Sequence, residues 1–301
     1  MPTLNTQRTE RITFRRMRHR CTQKMRGVGS VAWRLRYDLL AVLAVAAGMA
    51  VLVDILPLQT AGPVVALLGT VVSIFIGFRN SNAYARWWEA RTLWGNVIGN
   101  GRSLSNALIA VCDTTPEGFA SADVIRRRQV RQAWQLAAEL RGTPPAPEVA
   151  ELTPEDPAAA GSGDLLARQG ADIGAMAKAG VVDSQGRTVL VKLNTAQTAT
   201  AGGLERIRNE PIPRYYGLFI RALTWLFAVL VCTRLDIGVH DRPVGFLLGM
   251  LIMLLFVVAE RLGSLLEEPL SDNAFSLDMD RFCAGLTADL LGPGDPERPL
   301  R

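Results

Sequence analysis

Four apolar stretches, each near the length that crosses a lipid bilayer, constrain this chain more than any other feature. They are Leu39–Leu56, Ala61–Phe78, Ala222–Cys232 with its flanks, and Val244–Ala259. A polar segment of about 140 residues separates the first pair from the second. Apolar residues make up 49% of the 301 and mean hydropathy is +0.17, so the apolar excess is concentrated in these four places. That pattern excludes a disordered chain, a disulfide-rich secreted domain and a plain soluble enzyme. It predicts a small multi-span membrane protein with a large domain outside the lipid.

The first predicted span is Tyr37 to Leu56, twenty residues stopped by Pro57. At ~1.5 Å per residue it covers the ~30 Å hydrocarbon layer. The second starts at Gly62-Pro63, where proline sits in the first helical turn at no cost, and runs to Phe78. The third, about Phe219–Val239, carries Arg221, Arg234 and Asp236, whose charges require an interface or protein around them. The fourth is Pro243–Ala259, ended by Glu260-Arg261. Its Gly245 and Gly249 have the spacing of close helix packing. Thr60, Thr70 and Ser73 are polar positions in or beside lipid spans, and either bond back to their helix or face water.

Four spans put both termini on one side. Residues 1–36 hold ten basic residues against one acid, Glu10, whereas the whole chain carries only +5. A basic arm before an apolar run reads as a cytoplasmic flank facing anionic headgroups, in preference to a nucleic-acid arm. The expected layout is therefore a cytoplasmic arm at 1–36, a transmembrane hairpin at 37–78 and a helical cytoplasmic domain at 79–218. Spans three and four follow at 219–259, then a cytoplasmic segment at 260–301. This is a multi-pass protein of the cell (inner) membrane. The first apolar run starts near residue 39, too deep for a cleaved leader.

The middle segment reads as helical. Arg79 to about Ala110 has no proline and follows span two without a break, predicting one long helix that leaves the membrane. Ser121 is the expected cap of a second helix closed by Gly142. Residues 142–163 contain five prolines within fourteen residues and read as a loop or disordered surface insert. Asp164–Ala179 is helical with Gly180 as its stop, Val181–Gly186 is a turn, and Thr188 to Asn209 is a last helix weakened by Gly202-Gly203. Pro211 and Pro213 break the chain before span three.

Enzyme signals are thin. Cys21, Cys112, Cys232 and Cys283 have no paired spacing, and His19 and His240 are isolated, so neither a disulfide framework, a metal site nor a cofactor is expected. No phosphate loop or nucleophile elbow is present. The most unusual stretch is Thr70–Gly95, which passes from membrane character to polar and aromatic residues with no helix stop. Thr70, Ile74 and Phe78 recur every fourth residue and share one helical stripe, which fits packing or lipid. Arg86-Trp87-Trp88-Glu89 lies about two turns past the membrane end, where an aromatic belt and Arg–Glu or Arg–Trp pairing are expected.

Three segments carry a resemblance. FRNSNAYARWWEARTLWG (Phe78–Gly95) with Arg102-Ser103-Leu104, LERIRNEPIPRYYGL (Leu204–Leu218) and EEPLSDNAFSLDMD (Glu267–Asp280) together resemble the bestrophin family in its bacterial branch. The similarity spans about Arg20–Asp280. It implies an all-α membrane protein, four transmembrane helices per subunit with a large helical cytoplasmic domain, assembled as a homopentameric channel around a central pore. Span two then lines a hydrophobic neck, and the motif match places its three layers at Thr70, Ile74 and Phe78, the stripe found from periodicity. Relatives carry an aliphatic residue where Thr70 stands, so the outer layer here is wetter.

Arg86, Trp87, Trp88, Glu89, Pro211 and Pro213 are implied to be structural motif residues. The family's second, cytosolic constriction falls on Gln185 when counted back from Glu205-Arg206-Ile207 without a gap. Animal members hold calcium in a dense acidic cluster after span four. Here Asp272, Asn273 and Ala274 stand there, with Asp278 and Asp280 further on, too few carboxylates for about six oxygen ligands. The expected function is a passive, non-enzymatic channel for small monovalent ions, chiefly chloride and other anions at family level, with cation-conducting bacterial members known. The alternative is a membrane scaffold or sensor whose cytoplasmic helices bind a partner.

Overall fold

The computed structural model describes residues 36–49, 51–52, 55, 61–233, 242–273 and 275–292. Arg234, Asp236, His240, the arm at 1–35, Pro57, Thr60 and Ala274 lie outside the described residues. Among the described residues the elements are α-helices, with one isolated bridge between Cys112 and Val182. They are α1 (36–49), α2 (Gly62–Val111), α3 (Pro116–Arg141), α4 (Pro147–Ala150), α5 (Ser162–Lys178), α6 (Ser184–Asn209), α7 (Arg214–Cys232), α8 (Arg242–Leu266) and α9 (Met279–Leu291).

The organising element is α2. It runs 50 residues without interruption, ~75 Å at 1.5 Å per residue, far more than a bilayer needs. Its first part is apolar enough to span. Among the described residues α7 and Leu247–Leu266 of α8 also qualify by length and composition. Val65, Val72 and Ile76 of α2 pack with Ile220, Phe227 and Val231 of α7. Gly69 is required at this crossing, because a Cβ there would lie 2.8 Å from the Phe227 ring. Helix α1 joins the bundle through Val42 and Ala46, against Ala228 of α7 and Met253 and Val257 of α8. Gly245 and Gly249 are buried.

Past the bundle, α2 forms the spine of a second helical layer, packed along α6 and against α3 and α9. Trp94, Val97, Leu136, Leu140, Leu204, Cys283 and Leu286 fill its main core. Gly203 lets α6 approach Leu93, 3.1 Å from where a Cβ would stand, so this one of the two glycines expected to weaken α6 is a contact point.

Several sequence expectations need correction. Helix α3 is capped by Thr115, whose Oγ1 accepts from Gly118 N at 3.1 Å, and Ser121 lies inside it. The earlier start follows from Thr–Pro–Glu at the N-cap and first turn. Gly142 does close it, at φ +67°. Helix α6 begins at Ser184 under an Asp183 cap, so the turn before it is shorter than Val181–Gly186. Helix α7 starts directly after Pro213, and α8 continues two turns beyond Ala259.

The proline-rich insert is folded. Thr153 and Asp156 are buried, and Arg131 donates to Thr153 O (3.0 Å), Thr153 Oγ1 (2.8 Å) and Pro157 O (2.6 Å). Arg128 pairs with Asp156 at 2.6 Å. Proline-rich backbone has few N–H donors to satisfy itself, and α3 supplies arginine donors to its carbonyls.

Candidate functional site

Taking 100° per residue and Thr70 as zero, every buried residue of α2 falls between about 160° and about 280°. Thr70, Ile74 and Phe78 fall between about 0° and about 80°, on the opposite side. Ile74 and Phe78 are 52% and 64% exposed, large values for apolar side chains one turn apart. The Thr70 hydroxyl donates to Ala66 O at 3.1 Å and Ser73 to Gly69 O at 2.8 Å, so both bond back to the helix. The span thus turns one apolar stripe to the bundle and leaves another bare within the chain.

The residue after Phe78 is the pivot of the buried side. Arg79 is 3% exposed. It donates from Nη1 to Glu260 Oε1 at 2.6 Å and from Nε and Nη2 to the two oxygens of Glu267 at 2.6 and 3.1 Å. Glu260 on α8 and Glu267, directly after its last residue, are seven residues apart, about two turns, so both face α2. Arg221 of α7 lies 3.5 Å from Glu260, and Arg261 holds Asp38 of α1 at 2.7 Å. Three cations thus meet three carboxylates in a collar that joins α1, α2, α7 and α8. Asn80 donates to Ala259 O at 3.2 Å, and only glycine fits at 263, where a Cβ would collide with Asn80 Oδ1. Sequence reasoning placed no role on this collar; the seven-residue acidic spacing behind span four was its signal.

The motif that follows grips the second helical layer. Arg86 donates to the carbonyls of Ile207 and Glu210, closing the end of α6 just before Pro211. Its expected partner Glu89 pairs instead with Arg206. Trp87 Nε1 donates to Phe275 O at 2.8 Å, while Trp88 is 56% exposed. Trp87 and Trp88 both stack near Tyr84, with centroids 6.3 and 6.4 Å from it. Pro213 is the N-cap of α7. Gln185 is exposed in the first turn of α6, next to the far end of α2, since a Cβ on Gly186 would lie 2.8 Å from Val111. It therefore sits ~50 Å from Phe78 along the spine.

The loop after α8 does not suit calcium. The side-chain nitrogen of Asn273 stands 3.2 Å from Leu265 O, 2.9 Å from Glu268 O and 2.8 Å from Ser271 Oγ. An N–H₂ donor occupies the point on which these oxygens converge, and Glu267 is engaged by Arg79. Among the described residues, no group of three or more His, Cys, Asp or Glu is placed to hold a metal.

The chain was compared with known proteins. The sequence profile described as Bacterial/Fungal Bestrophin protein matches residues 13–291. A voltage-dependent anion channel-forming protein of Mesorhizobium japonicum is 30% identical over 242 residues, 77% of this chain and 75% of the relative. The voltage-dependent anion channel-forming protein YneE of Escherichia coli is 30% identical over 76% of this chain and 75% of its own length. Among solved structures, a bacterial bestrophin homolog from Klebsiella pneumoniae has a TM-score of 0.78 at 24% identity, covering 88% of this chain and all of that one.

Proposed function

Because the chain belongs to the bacterial/fungal bestrophin family, we propose that five copies of it close a membrane channel for small monovalent anions. The observation that carries the reading is the bare stripe of Thr70, Ile74 and Phe78, backed by a bundle that leaves it without a partner. Five such stripes around an axis make three stacked rings. The Ile74 and Phe78 rings disfavour water and ions until they wet or widen, which is how a hydrophobic constriction gates. The Thr70 ring, built of smaller side chains with the hydroxyl proton turned to Ala66 O, is wider and less dry. Gln185 forms a second, polar ring at the cytosolic exit. Four spans in the inner membrane, with both termini cytoplasmic, complete the arrangement, and the permeant ions and bilayer are its partners.

Reconstitution in planar bilayers tests this. Unitary currents are expected, with reversal potentials in asymmetric salt that follow the anion, and native mass measurement should give a closed ring of five. Ile74→Ala and Phe78→Ala should raise conductance or open probability with the ring intact, and Thr70→Ala should do less. Absence of current under all conditions, or damaged assembly with no gain of current in the neck variants, refutes it. The first of these outcomes would favour a membrane scaffold.

A further inference from the structure

The bare stripe of α2 does not end at Phe78. Eighteen residues make about five helical turns, so positions eighteen further on regain the same angle. Trp88, Thr92 and Asn96 therefore repeat the angles of Thr70, Ile74 and Phe78, and Asn106 repeats that of Thr70 after another eighteen. All four are exposed, as are Ser81, Ala85, Gly99 and Ser103, which fall on the same arc. The exposure keeps step with the ideal angle over the whole length of α2, so one continuous face runs from the neck to the level of Gln185.

That face has a distinctive chemistry. Ser81, Thr92, Asn96, Ser103 and Asn106 are neutral and have no side-chain hydrogen-bond partner among the described residues. Most other serine and threonine hydroxyls on α2 and α6, though not those of Ser105 and Ser184, behave differently. Thr70, Ser73, Thr188, Thr195, Thr198 and Thr200 all donate to the carbonyl four residues back. The charges that border the arc are neutralised in pairs, Glu89 by Arg206 and Arg102 by Asp289 at 2.6 Å. No ionised side chain lies on the arc itself.

We infer that Ser81, Thr92, Asn96, Ser103 and Asn106 wall the ion path below the neck and select ions there by neutral hydroxyl and amide donors. The inference rests on the proposal that α2 lines the pore. O–H and N–H₂ groups that no carbonyl has claimed can replace part of an anion's hydration shell without binding it so tightly that it stops, as conduction requires. A wall without net charge also leaves the sign of selectivity unprotected: one charged ring, fivefold by symmetry, should dominate it.

Purified full-length chain in planar bilayers provides the test. Asn96→Asp and Asn96→Lys should shift the reversal potential in opposite directions. Five like charges about one Debye length from the axis change the local concentration of a monovalent ion on the order of fivefold. Asn96→Leu, which removes the donor without adding charge, should lower anion conductance, and Asn96→Gln should restore it. Size-exclusion profiles check that each variant still assembles, and Ile74→Ala is recorded beside them. If Ile74→Ala alters current while both charged variants leave the reversal potential unmoved, the wall lies elsewhere and the neck stands. If neither the neck nor the Asn96 variants alter current, α2 does not line the path and both readings fall.

Discussion

Replacing Arg79 by glutamine tests the collar that holds α2 against the bundle. The guanidinium bridges Glu260 and Glu267 with three hydrogen bonds of 2.6, 2.6 and 3.1 Å. Glu260 is 2% exposed, so after the substitution its carboxylate remains buried, with Arg221 at 3.5 Å as its remaining ion-pair partner among the described residues. Removing one partner of a buried ion pair costs about 3–5 kcal/mol, mostly because the other charge is stranded. With an unfolding entropy of ~2.1 cal/mol/K per residue, that is a fall in Tm of roughly 5–8 °C for a chain of this size. Thermal unfolding of the purified protein in detergent reads it. Adding Glu260→Gln to Arg79→Gln should recover part of the loss, because the stranded charge is gone, so the two effects should be strongly non-additive. A Tm for Arg79→Gln within about 1 °C of the parent chain, or strict additivity in the double variant, would show that the collar does not hold the bundle.

Asn273→Asp should create what the loop lacks: a carboxylate among three oxygens. The variant should be less stable than the parent in chelator and regain stability in millimolar calcium, whereas the parent should show no response; a calcium-dependent Tm in the parent chain would overturn this. Burial pushes the Asp156 carboxyl up, but the hydrogen bonds and charge of Arg128 outweigh it and hold the group below the usual carboxylate range. A depressed folded-state pKa stabilises above the ordinary carboxylate pKa and is lost as pH falls through it. Protease cleavage within 142–163 should therefore rise below about pH 4 and, in Asp156→Asn, already occur at neutral pH; resistance of that variant at pH 7 contradicts the assignment. Gly263→Val should break the α2–α8 approach at Asn80 and lower the yield of assembled protein; a normal elution profile would show that the helices can part there at no cost.

The apolar stretches and proline punctuation made the helical plan legible. The long continuation of span two was readable because no proline interrupts Arg79 to about Ala110. The exposed stripe of Thr70, Ile74 and Phe78 was readable because a period of four on one element needs no knowledge of any other. What escaped is polar burial. Arg128, Arg131, Gln129, Gln132, Gln169 and Gln197 are buried, yet each residue type is ordinarily a surface one. Their partners lie on other elements, as when Gln197 donates to Gln132 at 3.2 Å and Gln169 to Asn194 at 3.0 Å. Such bonds depend on which helices meet, which local pattern does not carry. Arg86 shows the same limit: Glu89 three residues on is a reasonable local partner, but the carbonyls ending α6 are nearer in space.

The arcs of α2 also bear on how such a channel can open. Arg79, Asn80, Arg86 and Trp87 fall at about 180°, 280°, 160° and 260°, all on the side away from Thr70, Ile74 and Phe78. Their partners come from α8, the end of α6 and the loop at Phe275, four separate attachments within about two turns. A rotation of α2 large enough to swing Phe78 out of a pore would have to break buried charge-assisted bonds of the collar, each expensive in low dielectric. Side chains on the bare arc have no such ties. Ile74 and Phe78 can change rotamer, and the ring proposed for them can wet, without disturbing one bond on the back of the helix. The division of α2 into a gripped arc and a free arc therefore favours opening at the side chains of the stripe over rigid turning of the helix.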